Sequence, residues 1–164
     1  MMGTRSGTID PAIVTYLIGE EGMTAPEVEY MLNNKSGFIG VSGVSSDWRD
    51  ICAAAEEGNE RAVLVQNMAS MQVRKYIGSY AAAMNGLDVL IFTAGLGENS
   101  HRMRELATND MDFLGIEIDR KYNKEAPRGV NIDLSAPGAK VKTLVIPTNE
   151  ELMIARETVK LTNN

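Results

Sequence analysis

The segment Gly95-Leu96-Gly97-Glu98-Asn99 combines two glycines with a carboxylate and an amide, directly after an apolar run. Glycine lets the backbone approach a ligand because it has no Cβ. The segment matches neither the dinucleotide fingerprint nor a phosphate loop with its lysine, and Glu98 would repel a phosphate. A carboxylate and an amide suit ribose hydroxyls and the edge of a base. The pattern therefore indicates either a nucleoside cradle or a plain turn before a helix.

A second polar segment is Asp47-Trp48-Arg49. The planar guanidinium of Arg49 can hold a phosphate, and Trp48 can lie against a base or simply anchor the segment. The structural alternative is a helix N-cap accompanied by a solvated charge. From these residues alone both interpretations stay open.

A third segment places Thr148 three residues before Glu151, which is the spacing of a capping box. Glu151 would then have a structural role, and Glu150 would be left in the first helical turn. A carboxylate there can interact with the helix dipole without any ligand. It can equally hold Mg²⁺, directly or through water, as carboxylates do in phosphoryl-transfer sites.

A single arginine, Arg5, lies between Gly3 and Gly7 near the start of the sequence. An arginine held in such a turn can neutralise the charge on a phosphoryl group during its transfer. The alternative is a surface arginine in an ordinary turn.

Hydrophobic periodicity and capping residues predict an α/β fold in which helices alternate with apolar strands. The predicted helices are 11–18, 24–33, 51–57, 59–85, 100–109 and 150–161. The predicted strands are 88–93 and 141–146, with shorter ones at 38–41 and 113–118, and 126–139 is predicted to be a loop. The nearly continuous apolar character of 88–93 is typical of a strand covered on both faces. Ligands of such folds bind where strands end and loops enter helices.

The longest predicted helix, 59–85, has two apolar stripes. One recurs at steps of three and four residues from Ala62 onward. The other consists of Leu64, Met68 and Met71. Two stripes predict a helix that is covered on more than one side.

Composition narrows the classes of function. With 16 basic and 22 acidic residues the net charge is −6, which argues against nucleic acid or an anionic membrane as a partner. No apolar run approaches the roughly 20 residues of a membrane helix. Cys52 is the only cysteine, which fits a reducing cytoplasm, and His101 is the only histidine. The sequence therefore has almost no material for a histidine-based zinc site or a catalytic triad.

Four segments, 3–11, 45–50, 92–100 and 145–151, resemble sequence blocks of the acetate kinase family and occur in the same order. This family belongs to the superfamily of acetate and sugar kinases, heat-shock ATPases and actin. The resemblance spans nearly the whole chain. It implies a ribonuclease H-like, actin-like ATPase C-terminal domain, with a mixed sheet flanked by helices.

The resemblance also implies roles for individual residues. Arg5 matches the arginine that acts on the acyl carboxylate and the transferred phosphoryl group. Asp47, Trp48 and Arg49 fall on a nucleotide-binding segment, and residues 95–99 match the segment around adenosine. Glu150 matches the glutamate of the magnesium site.

The resemblance covers only the C-terminal part of longer family members, so residues 1–164 are expected to be a C-terminal nucleotide-binding domain without its N-terminal domain. The implied reaction is transfer of a phosphoryl group from ATP to acetate with Mg²⁺, giving ADP and acetyl phosphate. The isolated chain is expected to be inactive or nearly so, and to form a homodimer. The alternatives are a non-catalytic dimerisation or nucleotide-binding module, and a propionate or butyrate kinase relative.

Overall fold

Capping side chains start the helices of the N-terminal region. In the computed structural model, which describes residues 1–162, the chain forms two compact units, Met1–Ser79 and Tyr80–Asn164. In the first unit, helix α1 (Pro11–Gly19) begins after Asp10, whose carboxylate accepts a hydrogen bond from the amide of Ala12. Helix α2 (Ala25–Asn34) begins with the predicted capping box of Thr24 and Glu27. Both helices are confirmed.

Residues 38–41 were predicted to be a strand, and this prediction is wrong. They lie in a short helix, α3 (Gly37–Ser42). Its first amides are satisfied by the start of the chain, because Phe38 N donates to Met2 O at 2.8 Å and Ile39 N to Gly3 O at 3.1 Å. Contacts between residues distant in the sequence outweigh the local preference for an extended strand.

Helix α4 (Trp48–Glu56) and the long helix α5 (Glu60–Ala83) follow, capped by Asp47 and Asn59. The hydrophobic core of the first unit is formed by Val28, Phe38, Trp48, Ile51, Ala62, Val65 and Ala69.

The first stripe of α5 is buried only in its N-terminal part: Ala62, Val65 and Ala69 are buried, whereas Tyr76 and Tyr80 are 50% and 61% exposed. The second stripe is not buried. Leu64, Met68 and Met71 are 49%, 41% and 52% exposed. Within the described part of this chain nothing covers them. The prediction that the helix is covered on a second side is therefore wrong for the described residues. Hydrophobic periodicity identifies an apolar face of a helix, but it does not identify what packs against that face.

The second unit contains a mixed, three-stranded sheet in the order β1-β3-β2. Strand β1 (Val89–Phe92) is parallel to β3 (Lys142–Val145), with Phe92 opposite Val145, and the short β2 (Ile132–Asp133) is antiparallel to β3. The predictions of strands at 88–93 and 141–146 are confirmed. Val89 and Ile91 are 40% and 49% exposed, however, so the expected cover on both faces of β1 is not found within residues 1–162.

Helices flank this sheet. They are α6 (Ala94–Asn99), α7 (His101–Thr108), α8 (Arg120–Glu125) and α9 (Glu150–Thr162), with a 3₁₀ turn at Asp112–Leu114. The helices predicted at 100–109 and 150–161 are confirmed as α7 and α9. None of the helices in the described residues is both long and apolar enough to cross a membrane.

Two sequence predictions in this unit are wrong. The expected strand at 113–118 is the 3₁₀ turn, which ends at Gly115 in the left-handed region (φ +82°), and a single bridge from Ile118 to Ser135. A Cβ at Gly115 would lie 2.8 Å from Lys140 Cβ, so this turn is set by a close approach between distant residues. The expected loop at 126–139 contains β2.

Candidate functional site

The carboxyl ends of the parallel strands β1 and β3 lie at the same edge of the sheet. The segment that begins α6 leaves β1 there, and the segment that begins α9 leaves β3 there. Residues 95–99, which the sequence pattern left as a cradle or a plain turn before a helix, themselves form part of the short helix α6. The helix starts at Ala94, whose φ of +58° is left-handed and costs about 1–3 kcal/mol for a residue other than glycine.

Hydrogen bonds join the two segments. The hydroxyls of Thr93 and Thr148 are 2.7 Å apart, and the amide of Ala94 donates to Thr148 Oγ1 at 3.1 Å. The amide of Thr148 donates to Glu98 Oε1 at 2.7 Å. This backbone hydrogen bond lowers the pKa of Glu98, so the carboxylate is ionised at neutral pH. The strained start of α6 is thus held by the segment that follows β3.

The predicted capping box of Thr148 and Glu151 does not form. The cap of α9 is Asn149, whose Oδ1 accepts from the amide of Leu152 at 3.0 Å, while the Thr148 hydroxyl contacts Thr93 and Ala94. The Thr148 hydroxyl cannot cap α9 because it is engaged with residues that lie more than 50 positions away in the sequence. Glu151 therefore has no capping role to distinguish it from Glu150.

A cavity of about 370 Å³ opens between these segments, and we call it the strand-end cavity. Its lining residues are Ala94, Gly95, Glu98, Thr148, Asn149, Glu150 and Glu151. The volume lies in the range of about 300–1,000 Å³ that is usual for small-molecule sites. The structure thus brings three of the predicted residues, Gly95, Glu98 and Glu150, to one cavity.

The donors of the strand-end cavity fit Mg²⁺ only together with a ligand. Glu98, Glu150 and Glu151 offer the hard carboxylate oxygens that Mg²⁺ prefers. Within residues 1–162, no three histidine, cysteine, aspartate or glutamate side chains are grouped so that they could hold a metal ion. Mg²⁺ in phosphoryl-transfer sites commonly has one or two protein carboxylates, with waters and substrate phosphates completing the shell. The cavity is compatible with that arrangement.

Within the first unit, the segment that carries Arg5 approaches the Asp47 segment at Gly3 and Ser46. Residues 2–6 run along α2 and α3, and a Cβ at Gly3 would lie 2.8 Å from Ser46 O. Gly37, at φ +61°, admits this segment, since a Cβ there would lie 2.0 Å from Met2 O. The side chain of Arg5 is exposed.

Asp47 and Arg49 form an exposed ion pair. Arg49 Nη2 lies 2.5 Å from Asp47 Oδ2, and Asp47 Oδ1 also accepts from the amide of Arg49. These hydrogen bonds lower the pKa of Asp47 to about 2. The side chain of Arg49 is 88% exposed, so much of its surface can meet a ligand.

Trp48 is 6% exposed and packs on Phe38, with the ring centroids 5.6 Å apart. Of the two interpretations that the sequence left open for this side chain, burial favours the anchor. Stacking on a base needs an open ring face, which so buried a ring does not offer.

Sequence reasoning missed Thr93, Arg104 and Asn123. The position of Thr93 directly after an apolar strand was an available signal. The sequence around Arg104 gave no signal of its role. It lies in a highly charged helix, α7, where an arginine is expected to be solvated. In the structure it is 4% exposed and its Nη1 donates to Gly97 O and Glu98 O, both at 2.8 Å.

A mixed α/β sheet with polar segments and a cavity at the carboxyl ends of its parallel strands defines a class: the α/β proteins that bind small ligands at strand ends. Comparison with known proteins identifies the family. The model of the Acetokinase family matches residues 1–156, and the chain belongs to this family.

Individual proteins of known name support the same family assignment. Acetate kinases of Acetivibrio thermocellus and Moorella thermoacetica are 55% and 56% identical over 163 and 160 residues, covering 99% and 98% of this chain. The chain spans only 40% of the length of each.

Solved structures show the same fold. The acetate kinase of Porphyromonas gingivalis superposes with a TM-score of 0.90 at 49% identity, over 99% of this chain and 40% of that one. A propionate kinase of Francisella tularensis superposes with a TM-score of 0.86 at 37% identity, over 95% of this chain and 39% of that one. The predicted α/β, actin-like fold with a mixed sheet flanked by helices is confirmed.

Proposed function

We propose that this chain is the nucleotide-binding part of an acetate kinase, which transfers a phosphoryl group from ATP to acetate with Mg²⁺. The observation that carries the proposal is the strand-end cavity, formed by two segments that also resemble family blocks. Acetate is proposed as the acceptor because the relatives that are 55% and 56% identical to this chain are both named acetate kinase. ATP as the substrate, and a sequence with a single cysteine, Cys52, which suits a reducing environment, favour the cytoplasm.

In this proposal the residues of the second unit bind the nucleoside and the metal. Gly95 to Asn99 lie against adenosine, with the backbone of α6 close to the ligand because Gly95 has open space where a Cβ would be. Glu150 holds Mg²⁺, directly or through water, and the metal offsets the charge of the phosphates.

In the first unit, Arg5 neutralises charge on the transferred phosphoryl group, and Asp47, Trp48 and Arg49 form a nucleotide-binding segment. Arg49 contributes its exposed guanidinium, Asp47 orients it by their ion pair, and Trp48 anchors the segment through its buried ring. The reaction is a direct in-line transfer, in which positioning and charge neutralisation supply most of the rate.

Gly95→Leu tests the cavity. Gly95 lines the cavity, and a Cβ added there meets open space beyond its own helix and chain neighbours, so the substitution puts new side-chain volume at the cavity wall. Gly78→Leu is the matched control, since Gly78 also lies in a helix with open space at its Cβ. Isothermal titration of the purified chain with ATP and Mg²⁺ should show binding for the unmodified chain and for Gly78→Leu, and at least tenfold weaker binding for Gly95→Leu. Equal affinities in all three would contradict the proposal.

The reaction itself is expected to be absent from the isolated chain. Charge stabilisation of the transition state needs donors on every side of the phosphoryl group, and the chain spans only 40% of its relatives. A coupled assay should detect no turnover approaching the 1–100 per second that is typical of kinases. Turnover in that range would show that this chain alone carries the full set of catalytic groups.

A second proposal is a homodimer. Leu64, Met68 and Met71 form an exposed apolar stripe on α5, and a second copy of the chain would cover it. Met68→Glu should shift sedimentation from dimer to monomer, whereas Ala53→Glu, at an exposed helical position outside the stripe, should not. A dimer that binds no nucleotide would favour the non-catalytic module instead.

A further inference from the structure

We propose that Arg104 is a positioning residue that orients helix α6 for the nucleotide, an inference that rests on the proposed function. Arg104 belongs to α7 and is 4% exposed. Its Nη1 donates to the carbonyls of Gly97 and Glu98, both at 2.8 Å. No carboxylate lies within ion-pair distance of it in the described residues.

A buried charge without an ionic partner is costly, so its hydrogen bonds must offset the loss of water. Burial and the nearby Arg128 lower the pKa of Arg104. Asn123, which is 1% exposed, supplies the other acceptors: its Oδ1 takes Arg104 Nε at 2.7 Å and its carbonyl takes Nη2 at 3.3 Å. Asn123 in turn donates to His101 O at 2.9 Å. The guanidinium is therefore held in one orientation.

Helix α6 depends on this orientation because it has only six residues. So short a helix has little stability of its own, and the carbonyls of its last turn need partners from outside. Asn99 Nδ2 and Ser100 N serve the carbonyls of Gly95 and Leu96. Arg104 serves those of Gly97 and Glu98.

The opposite end of α6 is the strained Ala94, which the hydroxyl of Thr148 holds. The helix is thus fixed at both ends, and two of its residues, Gly95 and Glu98, line the strand-end cavity. Release of the Arg104 end would let both residues move relative to the ligand. A lysine would not replace the arginine fully, because an ammonium lacks the planar fork that meets several carbonyls at fixed angles.

The experiment uses Arg104→Gln and Arg104→Lys in the purified chain, with Thr108→Val as the matched control. Thr108 lies on the same helix and is 6% exposed, and its hydroxyl donates within α7, to the carbonyls of Arg104 and Glu105. We expect the dissociation constant for ATP with Mg²⁺ to rise at least tenfold in Arg104→Gln, less in Arg104→Lys, and not in Thr108→Val. Amide hydrogen exchange should accelerate at residues 95–100 in Arg104→Gln, and little elsewhere.

The outcomes separate the two proposals. If the unmodified chain binds no ATP, the proposed function falls, and this inference falls with it. If the unmodified chain binds ATP and both Arg104 variants bind it equally well, only the inference is overturned. Exchange that accelerates throughout the second unit in Arg104→Gln would also overturn it, since Arg104 would then support the fold in general. If Arg104→Gln does not fold, Arg104→Lys decides by the same two measurements.

Discussion

Gly37→Ala is the substitution that most directly tests how the Arg5 segment is held. Gly37 begins α3 with φ +61°, and a Cβ there would lie 2.0 Å from Met2 O and 2.8 Å from Arg5 O. Gly43 ends the same helix with a similar φ of +69°, but nothing lies within 4 Å of its Cβ position. The two alanine variants therefore share the backbone strain and differ in the clash.

The magnitude follows from these two contributions. An alanine in the left-handed region destabilises the folded state by about 1–2 kcal/mol. Alanine also reduces the conformational entropy of the unfolded chain, which offsets about 0.4–1 kcal/mol. The free energy of unfolding of Gly43→Ala should therefore fall by about 1 kcal/mol. In Gly37→Ala the clash also displaces the N-terminal segment. This breaks the hydrogen bonds from Phe38 N to Met2 O and from Ile39 N to Gly3 O, each contributing about 0.5–1.5 kcal/mol. The total should be about 3 kcal/mol.

Urea unfolding followed by tryptophan fluorescence measures this difference. Trp48 is the only tryptophan and is buried against Phe38 in the first unit, so the signal reports on that unit. We expect the free energy of unfolding to fall about three times as far in Gly37→Ala as in Gly43→Ala. Equal losses in the two variants would refute the reasoning, because the close approach of Met2 to Gly37 would then contribute nothing.

Three further predictions concern single side chains. Asn123→Ala should lower the free energy of unfolding by about 3 kcal/mol, measured by urea unfolding, because it leaves the buried guanidinium of Arg104 without its Oδ1 acceptor. The folded pKa of Asp47 is lowered from 3.8 to about 2, so its contribution to stability should be complete above pH 4 and should disappear as pH falls towards 2. Glu150→Gln should raise the Mg²⁺ concentration needed for ATP binding about tenfold, and more than Glu151→Gln does, as measured by titration calorimetry, because Glu150 is the residue that matches the magnesium-site glutamate of the family.

Each of these has its own control. The exposed Asn131→Ala should change stability by less than about 0.5 kcal/mol, and a similar loss in both asparagine variants would contradict the Arg104 argument. Asp47→Asn should show a flatter pH dependence of the urea midpoint than the unmodified chain between pH 4 and 2. Identical profiles would mean that Asp47 does not titrate with folding. Equal effects of the two glutamine variants would remove the distinction between Glu150 and Glu151.

Much of the fold could be predicted from short-range patterns. Asp10, Thr24, Asn59 and Ser100 each start a helix where the sequence indicated one, because a cap bonds to amides only two or three residues away. Strand β1 was located for a similar reason, since its apolar run is continuous. The predicted site residues Gly95, Glu98 and Glu150 line one cavity.

The sequence by itself determined where the capped helices begin, where β1 and β3 lie and which residues could carry chemistry, because caps, periodicity and glycine positions act over a few residues. Only the tertiary structure decided that 38–41 is a helix, that Thr148 holds Ala94 rather than capping α9, and that Arg104 is buried beneath α6. Each of these depends on hydrogen bonds between segments separated in the sequence. The hydrogen-bond partner of a polar group depends on which segment the folded chain places beside it. The spacing of residues that are close in the sequence does not identify that segment.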